Sequence, residues 1–291
     1  MRSLEKHEQH QPDSNNLATS YDNTGVTFGD LGDHKKALEY KLKALEIRER
    51  VLPEDHPDLA LSYNNVGNTY GALGDHQKAL EYQQKALEIR ERVLPEDHPD
   101  LATSYNNVGT THVALGEHQK ALEYQQKALA IRKRVLPENH PDLAISYNHL
   151  GYTYSYLGDY EKALEFLLKA LTIQEQILPP IHPALAHSYD NIGSVYNDLG
   201  DHEKELEYNQ KALAIRERVL PGNHPDLALS CSSIAWTYYD LGQVGEAATH
   251  MRRAADIINR STLPENHPDR VNYAKWADEF EAILQKPQDP D

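Results

Sequence analysis

Apolar and small residues recur at helical spacing through residues 59–100, LALSYNNVGNTYGALGDHQKALEYQQKALEIRERVLPEDHPD, in two blocks parted by a short break. Tyr63, Val66, Gly67 and Tyr70 share one face of a helix predicted over about 59–73. Ala79, Leu80, Gln83, Ala86, Leu87 and Val93 share one face of a second helix over about 76–94, with Glu and Lys opposite. Gly74 suits the left-handed residue just past a helix end, and Asp75 suits the cap of the next helix. So short a link makes the two helices double back. Pro95 stops the second helix, while Pro57 and Pro99 suit a first turn, where a missing N–H costs nothing.

The same pattern returns along the chain. Residues 101–142 repeat 59–100 at 34 of 42 positions, and copies begin at Leu17, Leu59, Leu101, Leu143, Leu185 and Leu227. The predicted units are therefore 17–58, 59–100, 101–142, 143–184, 185–226 and 227–269, the last one residue longer. Repetition at a period of ~20–50 residues is the mark of a solenoid, in which units bury a core only by stacking. Residues 270–286 read as one more amphipathic helix that covers the final apolar face, and 287–291 as a tail. The polar residues 1–16 are expected to be disordered or a frayed turn, leaving the N-terminal end weakly capped.

Tyr63-x-x-Val66-Gly67-x-x-Tyr70, followed by Ala79 and Ala86, resembles the tetratricopeptide repeat pattern. The long variant, with A-L-x-I-R-E-x-x-L and a terminal H-P, is similar to the repeats of kinesin light chains and nephrocystin-like proteins. The resemblance spans 17–269 and implies an all-α fold: a right-handed α-α superhelix of six helix pairs plus a C-terminal capping helix. It also implies that the polar face of the first helix of each pair, helix A, lines a concave surface that takes partner peptides.

A net charge of −16 argues against nucleic acid and anionic membrane as partners. The start MRSLEKHEQH has no apolar core of a secretion signal, and no run approaches the ~18 apolar residues of a membrane span. A single cysteine, Cys231, excludes a disulfide framework and fits a reducing compartment, so a cytoplasmic protein is expected. No phosphate-cradling loop, nucleophile elbow or H-E-x-x-H occurs, so neither catalysis nor a cofactor is expected. Five H-P-D tripeptides, beginning at His56, His98, His140, His224 and His267, sit at one place in the unit and read as Pro-led helix starts. Units stand roughly ~10 Å apart by the usual interaxial distance, too far for their histidines to share a metal.

The candidate peptide-binding residues lie on helix A. Asn23, Asn64, Asn65, Asn68, Asn106, Asn107, Asn148 and Asn191 offer amides that suit a peptide main chain. Their other reading is hydrogen bonding between neighbouring units. Tyr152, Tyr156, Trp236 and Tyr239 would select apolar anchors. Helix A carries no Lys or Arg in any unit, whereas Asp22, Asp30, Asp190, Asp198 and Asp240 lie on or near its polar face. A neutral or basic peptide is the expected ligand. The alternative is a structural array that contacts partners, or itself, through its ends and edges. One residue departs from its series: Glu205 stands where five units have alanine, and is expected to snorkel outward or loosen its helix pair.

Overall fold

A computed structural model describes residues 2–285, with side chains from 14 onward. The described residues form thirteen α-helices and no strand. Their order is α1 (Arg2–Asp30), α2 (His34–Val51), α3 (Pro57–Ala72), α4 (His76–Val93), α5 (Pro99–Ala114), α6 (His118–Val135) and α7 (Pro141–Tyr156). There follow α8 (Tyr160–Ile177), α9 (Pro183–Asp198), α10 (His202–Val219), α11 (Pro225–Asp240), α12 (Val244–Asn259) and α13 (Pro268–Leu284). The chain divides after Leu157 into two compact units, the first ending with α7 and the second beginning with α8.

Consecutive helices pair as the short links require: α1 with α2, α3 with α4 and α5 with α6 in the first compact unit, and α9 with α10 and α11 with α12 in the second. Gly74 has φ +81°, the left-handed value that lets the chain reverse in two residues. Asp75 then accepts the Lys78 N–H at 3.2 Å and caps α4. Within the pair, a Cβ on Gly67 would lie 3.0 Å from the Ala79 carbonyl oxygen and 2.8 Å from Gln83 Cγ, so only glycine permits this approach.

The H-P-D segments do open helices, and their histidines are the caps. Nδ1 of His56, His98, His140, His182, His224 and His267 accepts the N–H two residues on, at 3.1–3.3 Å. Proline follows each as the first helical residue.

Stacking buries an apolar layer between units. Leu45, Leu59, Ala60, Val66 and Ile89 form one such cluster, and Leu80, Leu87, Leu101, Ala102, Val108 and Ile131 the next. A polar register accompanies it. Thr111 and Thr153 donate to Gln83 and Gln125 Oε1 of the preceding unit at 2.7 Å, and Lys41 Nζ donates to Thr69 Oγ1 at 2.9 Å. Where the fourth unit has Leu167 at that place, the fifth answers with Val195, both buried. The partners change together from polar to apolar, so no donor is stranded.

Two features differ from expectation. α1 begins at Arg2, so helix extends through the residues predicted to be unstructured. α13 opens two residues earlier than expected, at Pro268, on the His-Pro cap that α3, α5, α7, α9 and α11 share, and adds Tyr273, Ala277 and Phe280 to the cluster formed by α11 and α12.

Candidate functional site

Residues spaced i, i+4, i+7 and i+11 share one side of a helix. On α3 these are Leu61, Asn65, Asn68 and Ala72; on α5, Thr103, Asn107, Thr110 and Ala114; on α7, Ile145, His149, Tyr152 and Tyr156. In each helix the second is half-buried and the other three are exposed. α3 lies against α5 and α5 against α7, so the three stripes adjoin. α1 repeats the stripe with Thr19, Asn23, Val26 and Asp30, all exposed. In the second compact unit, α9 presents His187, Asn191, Ser194 and Asp198, and α11 presents Leu229, Ser233, Trp236 and Asp240.

The asparagine series divides between the two readings. Asn64 and Asn106 are buried. Asn64 Oδ1 accepts from Asn107 Nδ2 at 2.9 Å, and Asn106 Oδ1 meets His149 Nδ1 at 2.7 Å. These two, counted among the candidate peptide-binding residues, spend their side chains on bonds between neighbouring units and expose little surface. Asn107 shares that role while keeping part of its surface. Asn68 is exposed, though its Oδ1 accepts from Gln83 Nε2 at 3.0 Å. Asn23 is exposed, and Asn65, Asn148 and Asn191 are half-buried.

Cations lie beneath this face despite its lack of Lys and Arg. They come from the second helix of each pair. Arg90 Nη1 donates to Ser104 Oγ at 2.6 Å and to the Asp100 carbonyl at 3.3 Å, and Arg132 does the same with Ser146 and Asp142. Arg48 reaches Ser62 and pairs with buried Asp22; Arg216 reaches Ser230 and takes both oxygens of Asp190. Asp22 and Asp190 are therefore each paired from below, which leaves Asp30 as an open carboxylate of the stripes in the first compact unit, and Asp198 and Asp240 in the second. Burial pushes the Arg90 and Arg132 pKa values down, with Asp100 and Asp142 partly opposing. Burial, and then the nearby Arg132 charge, also lowers the pKa of His149.

The aromatic candidates are unequal. Tyr156 is 64% exposed and stacks on His118, with centroids 4.8 Å apart. Tyr152 is exposed beside it. Trp236 packs edge-on against Trp276 and Phe280 of α13, at 5.7 and 5.1 Å, and Tyr239 stacks on Phe280 at 5.2 Å. These two keep an exposed edge but also anchor the last helix. Val26 and three apolar residues at one repeat position were missed by sequence reasoning; the three are Leu61, Ile145 and Leu229, exposed by 44%, 44% and 56%. The available signal was their position two residues past the buried Leu that opens each unit, where other units carry Thr or His.

Glu205 stays inside, 9% exposed. Its Oε1 accepts from Thr237 Oγ1 at 2.9 Å and its Oε2 meets His202 Nδ1 at 3.0 Å. A Cβ on Gly193 would lie 3.6 Å from the Glu205 carbonyl, against 3.0–3.2 Å at Gly67, Gly25 and Gly109. The pair is thus wider here, as a carboxylate in place of a methyl demands. Among the described residues no three His, Cys, Asp or Glu side chains are grouped to hold a metal, and no helix is long and apolar enough to cross a membrane. Cys231 is buried, which raises its pKa to about 11.

The tetratricopeptide repeat profile matches residues 17–92, 58–134, 100–176 and 180–260. No curated protein sequence matches the chain. Among solved structures, a kinesin light chain protein of Podosopora anserina with nearly identical TPR-like repeats is 25% identical, covering 72% of this chain and 99% of its own, with a TM-score of 0.65. BtubC (BKLC) from P. vanneervenii is 19% identical over 89% of this chain and 94% of its own, with a TM-score of 0.63. The STAND ATPase PH0952 of Pyrococcus horikoshii, whose sensor is a tetratricopeptide repeat, superposes on 96% of this chain through 41% of its own, at 18% identity and a TM-score of 0.75. Repeat length, helix pairing, the glycine approach and these matches agree: the chain belongs to the tetratricopeptide repeat family, in its kinesin light chain-like form.

Proposed function

We propose that the chain is a non-catalytic scaffold whose helix A face binds an extended, neutral or basic segment of a partner protein. Tetratricopeptide folds are typical of protein-interaction scaffolds, and the finer reading rests on the exposed stripe. Leu61, Ile145 and Leu229 occupy one repeat position outside the core and leave apolar surface that a ligand would cover. In the first compact unit, Asn65, Asn68 and Asn107 accompany Leu61 and Ile145 with amides for a main chain. Tyr152 and Tyr156 offer large contact area at small entropic cost. Asp30, Asp198 and Asp240 favour Lys or Arg nearby. The buried thiol of Cys231 supports a reducing, cytoplasmic setting.

The test is peptide-display selection on the whole chain, on Leu61→Asp/Ile145→Asp, and on Val93→Asp/Val135→Asp of the outer helices as a control. Loss of binding in the first variant alone supports the reading; enrichment of acidic ligands on the parent, or loss in the control alone, contradicts it. One observation favours self-assembly as a second reading. Leu17 is 49% exposed, whereas its counterparts Leu59, Leu101, Leu143, Leu185 and Leu227 are buried by a preceding helix. Light scattering across concentration separates a monomer from an array that stacks on this end.

A further inference from the structure

A cavity of about 280 Å³ opens on the helix A face between α9, α10 and α11. Asp190, Ser194, Glu205, Asn209, Arg216 and Ser233 all line it. It exists because this chain has trimmed three positions and charged a fourth. Asn209 is one methylene shorter than Gln83 and Gln125 at the same repeat position. Ser194, the smallest residue of its series, stands where other units carry Val26, Asn68, Thr110, Tyr152 or Trp236, and Ser233 where they carry Asn23, Asn65, Asn107, His149 or Asn191. Glu205, in place of alanine, both widens the helix pair and lays a carboxylate on the floor.

The charges do not balance. Arg216 forks onto both oxygens of Asp190, so those two cancel. Glu205 has no Lys or Arg partner among the described residues; it accepts from Thr237 and meets His202. A carboxylate offers about four acceptor sites, so its two contacts leave room for a further donor, and Glu205 lines the cavity. A metal is not what fits, because no three ligating side chains converge. A guanidinium wants a planar partner with both oxygens open; Asp190 is taken by Arg216, and the two Glu205 oxygens are already divided between Thr237 and His202. Single acceptors from serine, asparagine and glutamate that line one cavity suit the three donors of an ammonium. The space holds about nine waters at ~30 Å³ each, ample for the five non-hydrogen atoms of a lysine side chain, whose methylenes would run past Leu229 at the rim.

We propose that this cavity receives one lysine side chain of the partner segment, with Glu205 as the residue that selects it. This rests on the reading that the helix A face binds an extended segment. The experiment uses a single residue, so that the two stand or fall separately. N-acetyl-lysine N-methylamide is titrated into the full chain, with the Asn209 side-chain amide followed by NMR. N-acetyl-norleucine N-methylamide and cadaverine serve as comparisons. Saturable millimolar binding of the lysine probe is expected, with no response to norleucine. Glu205→Gln, which keeps the shape, should weaken binding at least tenfold; Ser233→Asn, which refills the space as in other units, should abolish it. Thermal unfolding confirms that both variants fold. No saturable response to lysine, an equal response to norleucine, or indifference to both substitutions overturns the assignment. Binding of cadaverine without the blocked lysine also overturns it, since the ligand would then be a free amine. Peptides that bind the face with no preference for lysine, in wild type and Glu205→Gln alike, would sink this inference while leaving the groove intact.

Discussion

Gly67 and Gly193 occupy one repeat position, and the same substitution should have opposite effects at the two. Replacing glycine with alanine in a helix interior gains about 1 kcal/mol in backbone propensity. The new methyl must then fit. At Gly67 it would lie 3.0 Å from the Ala79 carbonyl and 2.8 Å from Gln83 Cγ, and the carbonyl yields only if α3 and α4 separate. Overpacking of this kind costs about 1–3 kcal/mol, so Gly67→Ala should end about 1 kcal/mol less stable. At Gly193 the pair is already spread by Glu205, leaving 3.6 Å to the backbone. The one close neighbour is Asn209 Oδ1, at 2.6 Å, the free end of a side chain that holds only a 3.4 Å bond to Thr237. Gly193→Ala should therefore be neutral or gain up to about 1 kcal/mol. Ala235 already fills this position in the sixth unit, fully buried. Repeat arrays need not unfold in one step, so the assay is guanidinium denaturation combined with hydrogen exchange resolved by unit. Equal losses at Gly67 and Gly193 would refute the claim that Glu205 widens its helix pair.

Other outcomes follow from the same contacts. His98→Ala should cost about 1 kcal/mol by removing the α5 cap, and His98→Asn should restore it; a null effect of both in chemical denaturation would deny the histidine its capping role. Arg48→Met strands buried Asp22 without a partner and should cost about 3–5 kcal/mol. Arg90→Met strands only a hydroxyl and a carbonyl and should cost nearer 1–2 kcal/mol; the reverse order in denaturation would contradict the pairing. His149 and His250 have pKa values lowered mainly by burial, so the unfolded chain takes up protons first as pH falls. Stability should drop from the ordinary histidine value of about 6.5 down to their lowered folded values, and less so in His149→Gln. Cys231, with its pKa near 11, should resist thiol reagents at pH 8 until the chain unfolds; rapid modification of the native protein would show an open site.

How far the sequence carried the fold depended on whether a feature is local. The turn at Gly74–Asp75 and the close contact at Gly67 are read from neighbours in the chain, and the structure has both. The arginine ladder was hidden because each link joins residues 14 apart across two units, as with Arg90 and Ser104, and helix propensity says nothing about such reach. Cap preferences point to Ser, Thr, Asp and Asn, so the Nδ1 acceptors of the H-P-D histidines gave no signal. Asn64 and Asn65 are adjacent and chemically identical, yet one is buried in a seam and the other reaches the surface. Only the packing of α3 against α5 distinguishes them. Glu205 was legible as an anomaly, but its partners Thr237 and His202 were not, because the first lies a unit away.

The claim that the helix A face is the binding surface is tested most directly by methyl NMR of the full chain with a display-selected peptide. Methyls of Leu61 and Ile145 lie on that face in the first compact unit, while Val93 and Val135 of the same unit are exposed on the second helices of their pairs. On saturation, the account predicts that the first two shift, with peptide contacts to them, and that Val93 and Val135 stay where they are. Shifts confined to Val93 and Val135, with Leu61 and Ile145 unmoved, would place the partner elsewhere and contradict it.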